Sequence, residues 1–182
     1  VCHVSPALIQ SSLAEVLAES PDGSPSFALD EYVTVTVGME KACVEVVFVQ
    51  EEASVGIKLQ LPEAYPLRNP EISKESLTIK VKGIGMEKWR SWMLKMTLML
   101  LSGSSSLWQC VKLFAENVTK HYEGVEPCPI CYSVIAQRSF KLPEMACPVC
   151  KNKFHNSCLY QWWGSSGNSS CPMCRSPWYS QK

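Results

Sequence analysis

Four closely spaced pairs of metal-binding side chains lie in the last third of the 182-residue chain. Two residues separate the members of each pair, and the pairs are Cys128 and Cys131, Cys147 and Cys150, His155 and Cys158, and Cys171 and Cys174. A Cys-x2-Cys pair on a tight turn directs two sulfur atoms at one ion, and closed zinc sites use four thiolate or imidazole ligands. Eight such ligands therefore predict two tetrahedral zinc sites.

A disulfide framework is the competing interpretation of these cysteines. Seven cysteines and one histidine form the pattern, and an odd number of cysteines cannot pair completely. The segment after Gly124 is also too short to bury a large apolar core, whereas each structural zinc ion contributes about 10–16 kcal/mol of apparent folding free energy. We therefore expect two Zn²⁺ as cofactors and an unfolded segment without them.

The composition of the chain changes near Gly124. Residues 1–124 carry a net charge of −4 and residues 125–182 one of +4, and seven of the ten cysteines lie in the second part. This predicts two domains, 1–123 and 124–182. The balanced total gives no field that would attract nucleic acid. No apolar run approaches the ~20 residues of a membrane helix, so neither nucleic acid nor a membrane is an expected partner.

The first part reads as an α+β fold. Apolar residues recur at helical spacing over 9–17, 89–100 and 107–118, and they alternate with polar ones over 33–37, 42–48, 57–61 and, more weakly, 77–81. The former pattern predicts helices and the latter strands. Short connections between the strands favour an antiparallel meander, and the order is helix, four strands, helix, helix.

A Tyr-Pro-Leu-Arg-Asn-Pro segment starts at Tyr65, after the third predicted strand. A Tyr-Pro-x-x-x-Pro turn at that position resembles the RWD domain, a relative of the ubiquitin-conjugating fold; the alternative is an ordinary proline-rich loop. Conjugating enzymes carry a nucleophilic cysteine in a loop after this turn, preceded by His-Pro-Asn. This part of the chain has only Cys110 after Tyr65, within a predicted helix, and no His-Pro-Asn. We therefore expect the first domain to be catalytically inert.

The second part resembles both RING and PHD fingers, and its ligand order (four Cys, one His, three Cys) is the PHD order. Both families are cross-braced, which implies one site of Cys128, Cys131, His155 and Cys158 and another of Cys147, Cys150, Cys171 and Cys174. The residues between the ligands favour RING: Ile130 lies inside the first pair, Trp162 four residues after the sixth ligand, and Arg175 directly after the eighth. A PHD finger places an aromatic residue where this chain has Ser169.

The RING resemblance implies roles for four residues. Ile130, Trp162 and Pro172 would form an apolar groove that binds a ubiquitin-conjugating enzyme, and the alternative for each is core packing in a small domain. Arg175 would bridge the conjugating enzyme and ubiquitin and hold the thioester in a closed conformation; the alternative is an ordinary solvated arginine. A RING supplies positioning and no nucleophile.

The segments 89–94, 123–135 and 153–162 resemble the C-terminal end of a family of ribosome-associated RING ubiquitin ligases. This resemblance implies transfer of ubiquitin to nascent chains stalled on the large ribosomal subunit. The expected location is the cytosol, with the first domain against the ribosome and other quality-control proteins as partners. Two alternatives remain open, a PHD-like reader and an interaction module with an inactive RING, neither of which would have ligase activity.

Overall fold

The computed structural model describes residues 4–50, 53–73, 83–103 and 105–178. The chain divides into two compact units, of which the first contains Val1–Gln50 and Ser54–Tyr122 and the second contains Glu123–Lys182. In the described ranges, no helix is both long enough and apolar enough to cross a membrane.

In the described residues, the first unit contains a sheet of five strands that lie side by side in chain order. They are β1 (Ser26–Ala28), β2 (Val33–Gly38), β3 (Cys43–Gln50), β4 (Ala53–Gln60) and β5 (Glu71–Ile72). The pairs β1–β2, β2–β3 and β4–β5 are antiparallel. Val33, Val35 and Val37 of β2 are buried while the threonines between them are exposed, because successive side chains of a strand point to opposite faces. One face of the sheet therefore belongs to the core.

Among its described residues, the first unit also contains the helices α1 (Val4–Leu17), α2 (Met86–Ser102) and α3 (Leu107–Tyr122). The α3 helix bears a wide apolar face that is buried along its length. Tyr122 at its end stacks on Phe48 of β3, with ring centroids 4.9 Å apart, and Phe114 meets Trp89 of α2 edge-on at 6.1 Å. Aromatic pairs in these geometries add about 0.5–1.5 kcal/mol each to the burial of the rings. The helices thus pack on the sheet as an α+β layer, which confirms the predicted fold class.

Two strands of this sheet were not predicted. The strands β1 and β5 contain three and two residues, which is too short for an alternating pattern to be recognised. The strand β4 begins at Ala53, four residues before the predicted position. The strand predicted over 77–81 lies outside the described residues.

The Tyr-Pro turn is held to two helices of the first unit. The Tyr65 hydroxyl lies 3.0 Å from the Ser12 hydroxyl of α1, and Asn69 Nδ2 donates to the Leu101 carbonyl of α2 over 3.4 Å. The Tyr65–Pro66 peptide bond is cis. These contacts fix the turn between β4 and β5 against the body of the unit.

Cys110 lies on α3 and is fully buried. Burial raises the pKa of its thiol to about 11, since the charged thiolate is disfavoured away from water. This position and this pKa are those of a core residue and not of a reactive cysteine in a loop.

The second unit has few regular elements. The strands β6 (Met145–Ala146) and β7 (Lys153–Phe154) form an antiparallel pair, and α4 (Asn156–Ser166) follows directly. Phe154 and Leu159 are fully buried among three of the predicted zinc ligands. The helix ends at Gly167, whose φ of 68° is left-handed and suits a residue without a Cβ. With so small an apolar core, the cysteines form part of the interior.

Candidate metal centres and their surroundings

The structure brings the eight predicted ligands together in two groups of four. In each group the donor atoms, cysteine Sγ or histidine N, all lie within 4.8 Å of one another. One group is Cys128, Cys131, His155 and Cys158, and the other is Cys147, Cys150, Cys171 and Cys174. We call them the histidine site and the sulfur site. The pairs alternate along the chain between the two sites, as the cross-brace implies.

The distances between the donor atoms fit a tetrahedral zinc ion. Thiolates that bind zinc at 2.3 Å lie about 3.8 Å apart in a tetrahedron. In the sulfur site, Cys147 Sγ lies 3.7 Å from Cys174 Sγ, and Cys150 Sγ lies 3.6 Å from Cys171 Sγ. A disulfide would require about 2.05 Å. The sulfur atoms are therefore spaced to share an ion and not to bond to each other.

The histidine site passes the same test. His155 Nδ1 lies 3.4 Å from Cys131 Sγ and 3.8 Å from Cys158 Sγ, against about 3.6 Å for a tetrahedral pair of one sulfur and one nitrogen. The other ring nitrogen, Nε2, lies 3.2 Å from the Val134 carbonyl oxygen. A carbonyl oxygen can only accept, so Nε2 donates to it, and Nδ1 is the ring nitrogen that faces the two sulfur atoms. The ring is thus oriented as a metal ligand.

The three Cys-x2-Cys pairs occupy turns of one shape, which we call Cys-Pro turns because each reads Cys-Pro-x-Cys. In the first, the Tyr132 N–H donates to the Cys128 carbonyl over 2.7 Å, and the Cys128 N–H donates to the Ser133 carbonyl over 3.0 Å. The same two bonds recur in the turns that begin at Cys147 and Cys171, with lengths of 2.9–3.0 Å. A single backbone geometry therefore presents all three pairs.

Each Cys-Pro turn places the residue after its second cysteine in the left-handed region. These residues are Tyr132 (φ 56°), Lys151 (φ 64°) and Arg175 (φ 59°). Non-glycine residues adopt such φ values at a cost, on the order of 1 kcal/mol. The turn hydrogen bonds hold them there.

A fourth turn repeats this geometry without cysteines. Phe140 has a φ of 53°, its N–H donates to the Ala136 carbonyl over 2.8 Å, and the Ala136 N–H donates to the Lys141 carbonyl over 3.0 Å. Ala136 and Ser139 stand at the two positions that cysteines occupy in the other turns. We call residues 136–141 the cysteine-free turn.

Two of the ligand thiols have a raised pKa and are hard to ionise, whereas the pKa of others is lowered. Burial and the neighbouring sulfur atoms of the same site raise the pKa of Cys158 and of Cys171 to about 12 each. Burial also opposes ionisation of Cys147, but the backbone N–H groups of Cys150 and Val149 and the Ser176 hydroxyl outweigh it and lower the pKa to about 6. Four converging donors repel one another when several are charged, and a divalent cation removes that repulsion.

The two adjacent tryptophans of α4 have different surroundings. Trp163 packs against the core of the unit, and its Nε1 donates to the Ser170 carbonyl over 2.9 Å. Trp162 has no such role and is 40% exposed. The structure thus assigns the structural position to Trp163 and leaves Trp162 at the surface.

The remaining predicted interaction residues lie at or near the surface of the Cys-Pro turns. Ile130 is half-buried and touches the core, and Pro172 is also half-buried. Arg175 is exposed, directly after the last ligand. Part of the Ile130 side chain therefore packs inward, and the rest of it reaches solvent.

Two polar side chains beside the sulfur site were not predicted from the sequence. Ser176 Oγ lies 2.9 Å from Cys174 Sγ and 3.8 Å from Cys147 Sγ. Asn152 Nδ2 donates to Cys150 Sγ over 3.3 Å. Each follows the left-handed residue of its own Cys-Pro turn.

Comparison with known families identifies both units. Residues 33–121 match the family described as ubiquitin conjugating domain-like, and residues 126–175 match the Ring finger domain. The E3 ubiquitin-protein ligase listerin of Schizosaccharomyces pombe is 36% identical to this chain over 174 residues, which is 96% of the chain. The chain belongs to the listerin family. The RING interpretation of the ligand pattern is thereby confirmed over the PHD order.

Other listerins agree in extent. The listerin of Saccharomyces cerevisiae is 32% identical over 173 residues, 95% of the chain, and that of Mus musculus is 41% identical over 129 residues, 71% of the chain. These alignments cover 11% and 7% of the two listerins, and the alignment with the Schizosaccharomyces pombe listerin covers 10%. The chain therefore spans about a tenth, or less, of the length of the listerins that it matches.

Proposed function

We propose that this chain is the RING part of a ubiquitin-protein ligase that binds two zinc ions and a ubiquitin-loaded conjugating enzyme. The relatives are named E3 ubiquitin-protein ligases, and the Ring finger match covers both candidate metal sites. The observation that carries the proposal is the 40% exposure of Trp162 on α4, the helix that also carries Cys158 of the histidine site. Tryptophan is enriched in protein-binding surfaces and among the residues that contribute most to binding energy.

Zinc is the ion that best suits both sites. Soft thiolates and a neutral imidazole in tetrahedral arrangement favour Zn²⁺ over the hard cations Mg²⁺ and Ca²⁺, which prefer oxygen. All four positions of each site are filled by protein donors, which is typical of structural zinc. Bound zinc would supply cross-links between turns that are distant in the chain.

The conjugating enzyme would bind to Trp162 of α4 together with Ile130 and Pro172 of two Cys-Pro turns. The exposed part of Ile130 and the ring of Trp162 would lose water on binding, which is the source of affinity in such contacts. All three residues are uncharged, in keeping with an apolar contact.

Arg175 would act on the bound enzyme and not on the metal. It is always charged and has planar donors that can bond two acceptors at once. Its backbone is fixed by the third Cys-Pro turn through the 2.9 Å bond from its N–H to the Cys171 carbonyl. In that position the guanidinium would bridge the conjugating enzyme and ubiquitin, so that the thioester is presented for attack by a lysine.

We also propose a substrate for this ligase. By the resemblance to ribosome-associated ligases, the substrates would be nascent chains stalled on the large ribosomal subunit in the cytosol, with other quality-control proteins as partners. The first unit would lie against the ribosome. The net charge of −4 over residues 1–124 favours a basic ribosomal protein over RNA as its contact.

A ubiquitin-discharge assay with a loaded conjugating enzyme tests the central step. We expect Ile130→Ala to slow discharge by weakening binding, and Arg175→Ala to slow it with little change in the affinity for the unloaded enzyme. Val149→Ala is the matched control, because Val149 occupies the position of Ile130 in the second Cys-Pro turn and is 63% exposed. All three variants should retain zinc.

The same assay separates the alternatives. A PHD-like reader or an inactive RING would leave the loaded enzyme undischarged by the parent chain. Discharge by the parent that Ile130→Ala does not change would show that the groove is misplaced.

A further inference from the structure

The two candidate zinc sites differ in the side chains that bond to their sulfur atoms. In the sulfur site, Asn152 and Ser176 both lie within hydrogen-bond distance of cysteine Sγ atoms. The corresponding residue of the first Cys-Pro turn, which belongs to the histidine site, is Ser133. Its hydroxyl donates to the Ile135 carbonyl over 2.8 Å. The same turn position thus bonds to sulfur at one site and to the backbone at the other.

The charge of each site explains where these donors are needed. Four thiolates around Zn²⁺ leave a net charge of −2, whereas three thiolates and a neutral histidine leave −1. A hydrogen bond to a thiolate disperses part of its negative charge, and bonds to charged acceptors contribute about 1.5–3 kcal/mol. Asn152 and Ser176 therefore bond to sulfur atoms of the site with the larger excess of negative charge.

The direction of these bonds follows from the metal-bound state. A thiolate that binds zinc has no proton, so it can only accept, and the Ser176 hydroxyl must be the donor to Cys174. The Asn152 amide is a donor in any state. Both residues also accept a hydrogen bond from the first cysteine of their own turn, since the N–H groups of Cys147 and Cys171 donate to the carbonyls of Asn152 and Ser176 over 2.9 Å. The backbone of each residue is therefore fixed by its own Cys-Pro turn.

We propose that Ser176 and Asn152 are metal-retaining residues of the sulfur site, which set how tightly that site holds its ion without binding the ion themselves. This rests on the proposed binding of two zinc ions. Loss of partners that bond to metal ligands typically lowers metal affinity 10–100-fold. Because Cys171 and Cys174 belong to the third Cys-Pro turn, retention of this ion also joins that turn, and Arg175 with it, to the second Cys-Pro turn.

The test uses the 182-residue chain and its zinc-loaded Ser176→Ala, Asn152→Leu and Ser133→Ala variants. Zinc release to an excess of a coloured chelator gives the release rate of each ion. We expect Ser176→Ala and Asn152→Leu to release one of the two ions about tenfold faster than the parent, and Ser133→Ala to release both at the parent rate. Ser176→Thr keeps the hydroxyl and should restore slow release.

Cadmium-113 nuclear magnetic resonance of the cadmium-loaded chain then identifies the affected site. Four sulfur ligands and three sulfur ligands with one nitrogen give separate resonances. Ser176→Ala and Asn152→Leu should shift the four-sulfur resonance and leave the other in place, a change that a general loss of stability would not produce.

The outcomes distinguish this proposal from the proposed function. A parent chain that binds fewer than two ions would overturn both. Two bound ions in the parent, with Ser176→Ala releasing them at the parent rate and with an unmoved four-sulfur resonance, would overturn this proposal alone. Equal effects of Ser133→Ala and Ser176→Ala would also overturn it, because the donor would then have no preference for the sulfur site.

Discussion

The adjacent tryptophans of α4 should respond in opposite ways to replacement by alanine. Trp163 has ring contacts with Trp178 at 5.6 Å and Tyr160 at 5.4 Å, besides its hydrogen bond to the Ser170 carbonyl. Truncating a fully buried tryptophan costs about 3–5 kcal/mol. Trp163 is half-buried, so we expect about 2 kcal/mol from packing and about 1 kcal/mol from the hydrogen bond.

Trp162→Ala should leave the unit folded. The ring is 40% exposed and fills no part of the core, so we expect a loss of less than about 1 kcal/mol of stability. Its cost should fall on binding of the conjugating enzyme, where truncation of a central aromatic residue removes about 2 kcal/mol or more. That energy corresponds to an affinity about 30-fold lower.

Two measurements on both variants decide the matter. Thermal unfolding with excess zinc reports stability, and isothermal titration with the conjugating enzyme reports affinity. Trp163→Ala should lower the unfolding midpoint by several degrees, and Trp162→Ala should weaken binding while its midpoint stays near that of the parent. Equal destabilisation by both, or undiminished binding by Trp162→Ala, would refute the division of roles.

Chelation of zinc should unfold the second unit and leave the first folded, because the core of the first contains aromatic and aliphatic residues and no candidate metal site in the described ranges. Circular dichroism with limited proteolysis would detect this change. A second unit that resists protease after chelation would contradict the prediction. Cys110 should not react with a maleimide at pH 7 in the folded chain, since a thiol pKa of about 11 leaves only about 10⁻⁴ of it ionised. Cys110→Ser is expected to leave discharge intact, and a ubiquitin thioester on Cys110 would show that the first unit is not inert.

The ligand sets could be predicted from sequence because ligand spacing is a local property. Two residues between Cys128 and Cys131 are enough to define a turn, and thiolate chemistry then restricts the ion. The cross-brace came from a resemblance to known fingers, since spacing alone does not say which pairs share an ion. The α+β class was predictable for a similar reason, as β2 and α3 carry long periodic patterns.

Features that depend on contacts between distant or irregular segments could not be predicted. The strand β1 pairs with β2 through only three residues, and a three-residue pattern does not differ from chance. The hydroxyls of Ser133 and Ser176 are chemically identical and occupy the same turn position, yet one bonds to a carbonyl and the other to sulfur. That difference arises from the tertiary environment. The left-handed residues of the three Cys-Pro turns could not be predicted either, because none of them is glycine.

The cysteine-free turn at residues 136–141 shows what a metal ion does not need to do in this fold. The polypeptide closes this loop with the same two backbone hydrogen bonds as the Cys-Pro turns, and Phe140 has the same left-handed conformation, although Ala136 and Ser139 offer no ligand. The local shape of these turns is thus maintained by backbone hydrogen bonds. An ion is needed to join loops that lie some twenty residues apart. The entropic free-energy cost of closing a loop of about twenty residues is about 2.7 kcal/mol plus a constant. A pair of cysteines introduced at Ala136 and Ser139 would therefore need no change in the course of the main chain.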